Sequence, residues 1–345
     1  MKILITGAKW HYDLPGISAL GFQEIGHQTE IFYDNPPDWL LKGSKILSRT
    51  PFRNLSNDLN NKYRKEVEVK FLYKIQEFKP DFIFVIGGAQ FSYKMIKKIK
   101  DGHKIPIVNF VVDDPAFYSR TLFYDLSAYD RLFVIDRSWM AVLEFFNANH
   151  VYYLPHAGDS CNFKKLDLKK EIDIAFVGSL SLRMPNAPSG YLRAEILNAL
   201  AEAGLKIKTY SPGIADAFKE FPSLKNIEYY DGYKNHNEVD KLYNEAKIVL
   251  SIHSPQLKTG VSPRVFDAAL SGTFQLAQYE PELDELFPKG TIKFFKNTAE
   301  LVDLANYYLK HDKEREEIAK KTMDWVLKNH QPKNRAKLIL NICKI

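Results

Sequence analysis

The chain has 345 residues, 45% hydrophobic and 26% charged, with a net charge of +6 and two cysteines. That is long enough for two domains with large cores, and it excludes a disulfide scaffold, a disordered chain and a strongly basic nucleic-acid binder. No apolar run approaches the length that spans a bilayer, and the start, "MKILITGAKW", is a short apolar run broken by Lys9, Trp10 and His11. It reads as a first strand and not as a signal peptide, so the cytoplasm is the expected compartment.

In chain order, the first strand, "KILIT", leads into "TGAKWHYDLPG", a loop with glycines but without the GxGxxG order of a dinucleotide fingerprint. His11 stands in that loop as a candidate general base or acceptor contact. A second strand, "TEIFY", ends at Asp34, where a dehydrogenase would hold a ribose; a lone acid is weak support for that. The segment from Lys42 to Lys74 has nine Lys or Arg against three acids, an excess equal to that of the whole chain. Trp39, Leu40, Leu41, Ile46, Leu47, Phe52 and Leu55 are interleaved with or flank those charges. Residues 39–74 therefore suit either a solvated helical insertion or a peripheral contact with an anionic membrane face or acidic acceptor.

Four further apolar runs complete the first half: "DFIFVIGG", "IPIVNFVVD", "RLFVID" and "VYYLP". "GGAQFS" follows the first of these, and its paired glycines suit close backbone approach as well as tight packing. "VVDDP" ends the second, and Asp113 and Asp114 there are candidates for acid–base work, sugar-hydroxyl contacts or a helix-capping turn. Turn residues and lysines gather over 155–173, the expected domain boundary. Six more runs follow: "IDIAFVG", "LKIKTYS", "IEYYDG", "AKIVLSIH", "GTFQLAQ" and "GTIKFF". Near-continuous apolar runs alternating with helical stretches such as "YLRAEILNALAEAGL" predict two α/β domains, each a doubly wound parallel sheet of six strands. Ligands of such sheets bind beyond the carboxyl ends of the strands, so two facing domains are expected to hold them in a cleft.

Two loops of the second half carry the strongest signals. "FVGSLSLRMPNAPSGYLR" sets Gly178 and Ser179 before Arg183 and Arg193, a plausible pyrophosphate cradle. "KTGVSPRVFDAALSG" offers Lys258 and Gly260, then Ser262 as N-cap and Pro263 at the first helical position. Phe266, Ala269 and Leu270 form its apolar stripe, and Gly272 stops the helix. Arg264 and the helix N-terminus suit a diphosphate, and Asp267, three residues on, suits ribose hydroxyls.

The run "SIHSPQLKTGVSPRVFDAALSGTFQLAQ", "ELDELF" and the charged helical tail from "AELVDLANYYLK" onward resemble the carboxyl domain of spore-maturation CgeB-like glycosyltransferases, of the broad group-one GT-B type. "DIAFVGS", "YDRLFVIDRS", "YYLPHAGD" and "VVDDP" fit the same family. The resemblance implies a nucleotide-sugar donor held by the second domain and a glycan, protein or lipid acceptor held by the first, as in surface polysaccharide or glycoconjugate synthesis. It implies transfer without a metal or other cofactor. It assigns the diphosphate to Arg264, the ribose to Asp267 and the donor phosphates to Gly178 and Ser179. It sets the loop of Tyr230, Gly232 and Tyr233 near the base, and makes Arg183, Arg193, His253, Lys258, Gly260 and Ser262 further donor-site candidates. The expected domains are 1–160 and 161–315, with helices over 316–345 returning to the first domain. One departure stands out: many retaining relatives carry a Glu eight residues before the ribose acid, and Thr259 stands there. Retention versus inversion is thereby left open, with His11, Asp113 and Asp114 as the bases an inverting enzyme would use. Two other readings share these features, a nucleotide-sugar epimerase or hydrolase and a non-catalytic two-lobed binding protein.

Overall fold

The computed structural model describes the whole chain except residues 10–11, 48–50, 52, 89–90, 116–125, 184–186 and 345. Two compact units divide it: Met1–Leu154 with Arg335–Ile345, and Pro155–Asn334.

The first unit runs β1 (Lys2–Gly7), α1 (Leu14–Glu24), β2 (Gln28–Tyr33), α2 (Asp38–Leu47), α3 (Arg53–Phe78), β3 (Phe82–Ile86), α4 (Tyr93–His103), β4 (Ile107–Val111), β5 (Arg131–Val134), α5 (Met140–Phe145) and β6 (Val151–Tyr153). All six strands are parallel, in the order β2-β1-β3-β4-β5-β6. The central strands are buried along their length because helices cover both faces, which is why they read as unbroken apolar runs. Phe22 of α1 packs edge-on against Phe82 and Phe84, and Phe71 of α3 packs against Phe32 and Phe91. Ser92 caps α4 by accepting from the Met95 N–H at 3.2 Å, and Lys104 ends the helix in the left-handed region at φ 54°.

The second unit runs β7 (Ile172–Val177), α6 (Ala187–Glu202), β8 (Ile207–Tyr210), α7 (Ile214–Ala217), β9 (Glu228–Tyr230), α8 (His236–Glu245), β10 (Ala246–Ser251), α9 (Arg264–Leu270), β11 (Phe274–Gln278), α10 (Leu283–Leu286), β12 (Lys293–Phe295), α11 (Thr298–Lys310), α12 (Asp312–Asn329) and α13 (Pro332–Cys343), the last of which crosses into the first unit. Its strands are also parallel, in the order β12-β11-β10-β7-β8-β9. Alternate strand residues feed two cores. Ile174, Phe176, Ile248, Leu250, Phe274 and Leu276 face α6 and α11, while Ala175, Val177, Val249 and Ala277 face α8 and α9. Burying each large side chain contributes about 1.5–3 kcal/mol. The sequence expectation of two α/β units with six parallel strands apiece holds strand for strand.

Both sheets reverse direction beside their first strand, at β1/β3 in the first unit and at β7/β10 in the second. The carboxyl ends of those neighbouring strands diverge into opposite layers and leave a crevice, where ligands of this class of sheet bind.

The loop after β7 is pressed between two glycines. A Cβ on Gly190 of α6 would lie 2.2 Å from the Ser181 carbonyl oxygen, and one on Gly213 would lie 2.7 Å from the Ser181 Cα. The obstruction is backbone, which does not rotate away. Gly190→Ala is therefore expected to lower stability by about 1–3 kcal/mol, measured by urea unfolding, and an unchanged midpoint would contradict this packing.

Candidate functional site

In the second unit the residues after β7 and β10 converge. Gly178 follows β7, and a Cβ there would lie 2.7 Å from the Phe176 ring, so the glycine lets the loop lie over that ring, within ordinary contact distance of the Arg193 guanidinium. Arg193, in the second turn of α6, donates through Nη1 to the Ser179 carbonyl at 3.2 Å. Its Nε is enclosed and has no hydrogen-bond partner. Burial first, and then the charge of Arg264, push the Arg193 guanidinium down to about 10. Tyr233, from the loop after β9, acts on it in the opposite sense. Ser189 of α6 and Ser254 of the loop after β10 share a hydrogen bond of 2.8 Å, tying the two sides of the crevice together.

Arg264 opens α9 and also acts on Tyr243, whose hydroxyl is fully buried and held in its neutral form chiefly by burial. Asp267 is the acid nearest to Arg264 along that helix. Burial, with Asp159 and Asp240 adding to it, pushes its carboxyl well above the usual carboxylate range. Arg193 and Arg264 bring two guanidiniums to this crevice, and guanidiniums suit an anion with several oxygens.

Several sequence expectations need correction here. Asp267 is 1% exposed, and its Oδ1 accepts from the Asp159 N–H at 3.1 Å. It fastens the segment after β6 to α9 and presents no surface to a ribose. His253 is likewise enclosed: its Nδ1 accepts from the Ser262 N–H at 3.1 Å, its Nε2 donates to the Gln278 carbonyl at 3.1 Å, and burial pushes its imidazole down to about 4. Both ring nitrogens are used in holding the loop to β11, so His253 is an anchor and not a donor ligand. Arg183 is exposed and pairs with Asp216 at 3.0 Å. The start of α9 offers no free N–H groups to an anion. Val265 donates to the Ser262 carbonyl, and Phe266 and Asp267 both donate to Pro263. The helix begins one residue later than its cap pattern suggests, with Ser262 Oγ accepting from the Arg264 N–H at 3.4 Å.

Of the remaining candidates, Ser179 is half-buried and its Oγ donates to the Pro212 carbonyl at 3.3 Å. Tyr230 and Tyr233 are exposed, and Gly232 packs under the Tyr230 ring, where a Cβ would come within 2.7 Å. Lys258 is exposed and Gly260 buried on the loop between β10 and α9. In the first unit Asp113 is exposed and Asp114 half-buried after β4. His11 lies outside the described residues. Asp13 caps α1, accepting from the Gly16 N–H at 2.9 Å.

Sequence reasoning missed Glu282. It lies just after β11, is 2% exposed, and its Oε1 accepts from the Thr259 hydroxyl at 2.8 Å. A carboxylate thus reaches the position where Thr259 had seemed to leave none. The available signal was its place, since Glu282 follows a strand and so falls at the carboxyl edge of the sheet. Asp34 was underweighted too. It is buried at the end of β2, and burial pushes its carboxyl up to about 7. Close to that strand end, Thr6 Oγ1 and Asn109 Oδ1 are enclosed without hydrogen-bond partners.

Among the described residues, no group of three or more His, Cys, Asp or Glu side chains converges as a metal site would, and no helix is long and apolar enough to cross a membrane.

Residues 193–341 match the family model described as "Glycosyl transferase-like", a span that starts at Arg193 itself. No curated protein matches the chain. Solved structures match it along nearly its whole length. Sucrose-phosphate synthase from Thermosynechococcus elongatus aligns with a TM-score of 0.66 at 12% identity over 99% of this chain and 98% of that one. Anabaena Alr3699/HepE, in complex with UDP-glucose, aligns at 0.62 and 12% over 100% and 99%. A glycosyltransferase from Rickettsia africae aligns at 0.62 and 14% over 99% and 97%. The architecture is the two-domain GT-B fold, and residues 193–341 are similar to the "Glycosyl transferase-like" family.

The anchoring role of His253 has a pH signature. Its folded pKa lies below the ordinary 6.5, so below pH 6.5 the unfolded chain takes up a proton that the folded chain refuses. Stability is expected to fall by about 3 kcal/mol from this group as pH drops from 6.5 to 4, and to level off below that. Replacement by Gln should lower stability at pH 7 and remove that part of the slope, read from urea unfolding at pH 7, 5.5 and 4.5.

Proposed function

We propose that this chain transfers a sugar from a nucleoside-diphosphate sugar to a hydroxyl of a glycan, protein or lipid acceptor. The observation that carries this is that Arg193, held by the Ser179 carbonyl after β7, and Arg264, at the start of α9 after β10, flank the β7/β10 reversal. Two cations on either side of one crevice are stabilised by a ligand that brings two negative charges. The diphosphate of a nucleotide sugar does so, and it becomes more negative as the glycosyl bond breaks, so the pair contributes most in the transition state. With two fixed cations on the leaving group, the proposed transfer needs no divalent metal. Glu282, buried and bonded to the Thr259 hydroxyl, holds the loop between β10 and α9 in place beside the proposed donor site. Gly178 and Ser179 would border the phosphates, and exposed Tyr230 and Tyr233 would border the base. The family match over 193–341 and the UDP-glucose held by the Anabaena structure support this reading.

The test is calorimetric titration with a panel of nucleoside diphosphates in the presence of EDTA. One of them should bind, and Arg193→Ala and Arg264→Ala should each weaken it by about 10- to 100-fold, the loss of a charge-assisted contact. Binding of none, or equal binding by both variants, would overturn the assignment.

A further inference from the structure

The basic segment of the first unit has a shape that the donor reading does not use. The long helix α3 and the start of α4 enclose a groove of about 700 Å³. Its floor is apolar, made by Phe91, Met95 and Leu72, and its rim carries Arg64, Lys65, Lys94 and Lys98. Glu68 is the one acid in the lining, and its Oε1 accepts from both the N–H and the hydroxyl of Ser92, at 2.9 and 2.5 Å. The carboxylate is thereby committed to the end of α4, and the rim stays cationic, four positive groups to one negative.

The surface beside the groove is unusual for a charged helix. Val69 and Tyr73, one turn apart on α3, are 66% and 69% exposed, and Leu55 lies two heptads before Val69 on the same stripe. Lys62 and Lys65 fall on or beside that stripe. On α2, which hydrogen-bonds to α3 through Ser44, Trp39 and Ile46 are 63% and 65% exposed. The opposite face of α3 is satisfied by the core through Val67, Phe71, Ile75 and Phe78. Large apolar side chains are therefore held out to solvent between lysines, next to a cationic hollow. Charge alone would recruit any polyanion, but it gives no reason for exposed Trp, Ile, Val and Tyr side chains. A bilayer with anionic lipids meets both needs, with phosphates for the lysines and an acyl boundary for the apolar side chains.

We propose that the α3–α4 groove seats the phosphate head of an anionic phospholipid while the exposed side chains of α2 and α3 enter the bilayer, docking the first unit on a membrane. This goes beyond the donor reading and stands without it. The lysines supply attraction over about a Debye length, and the apolar side chains supply the hold that salt does not screen.

The test is sedimentation of the full chain with vesicles of phosphatidylcholine alone or with 30% phosphatidylglycerol, in 0.1 M salt. Binding to the anionic vesicles should be at least tenfold tighter. Lys94→Glu/Lys98→Glu and Val69→Asp/Tyr73→Asp should each lose at least tenfold of it. All four positions are exposed, and unchanged thermal unfolding of each variant checks that the fold is kept. Equal binding to both vesicles, binding to neither, or no effect of the charge reversal overturns the proposal. A loss in the charge-reversed variant with none in Val69→Asp/Tyr73→Asp also overturns it, since it would mark an acidic soluble partner. Calorimetry with nucleoside diphosphates on the same variants separates the two proposals: the vesicle result and the diphosphate result can each fail alone.

Discussion

The repulsion between Arg193 and Arg264 is what the second unit is arranged to sustain. A guanidinium enclosed in protein resists burial, and a second one nearby makes it worse. The crevice keeps both because each is held by its own scaffold. Arg193 leans on the Ser179 carbonyl, in a loop that Gly178, Gly190 and Gly213 allow to sit tight. Arg264 opens a helix whose remaining residues are all buried, so it cannot retreat without unpacking α9. The acid of that helix, Asp267, accepts from the Asp159 N–H. Groups held this way by their scaffold are preorganised, which is how such a site differs from an assembly of flexible surface lysines.

The neighbours of that pair are better understood as supports than as contacts. His253, Gln278 and Ser262 hold the loop after β10, Asp267 and Asp159 hold the segment that enters the unit, and Thr259 with Glu282 joins the same loop to the turn after β11. Buried polar groups of this kind must be satisfied internally, and once satisfied they fix a backbone path more tightly than apolar packing does.

The strands and their grouping were readable because burial on both faces of a parallel sheet writes itself as runs such as "DFIFVIGG" and "AKIVLSIH". Gly178, Arg193 and Arg264, singled out from the sequence, all follow strands on either side of one reversal. What the sequence did not carry was orientation. His253 and Asp267 have the residue types of ligands, yet both point into the protein. Nothing local separates a buried His bonded at both nitrogens from an exposed one. The helix opening at Ser262 and Pro263 has the composition of an anion site, but its N–H groups close on Ser262 and Pro263 themselves. Glu282 lies 23 residues from Thr259, so their hydrogen bond is a fact of the sheet and not of any spacing.

The division of the chain has a consequence for how the protein is made. Residues 335–345 belong to the first unit, and Ala336, Ile339 and Leu340 are buried there. They are synthesised only after all of Pro155–Asn334, a delay of roughly ten to forty seconds at ordinary translation rates. The second unit is contiguous, while the first must wait with an unfinished flank until the last helix is made. The first strand made thus belongs to a unit that stays open for the longest time, and its interim apolar flank is where a chaperone would find most to hold.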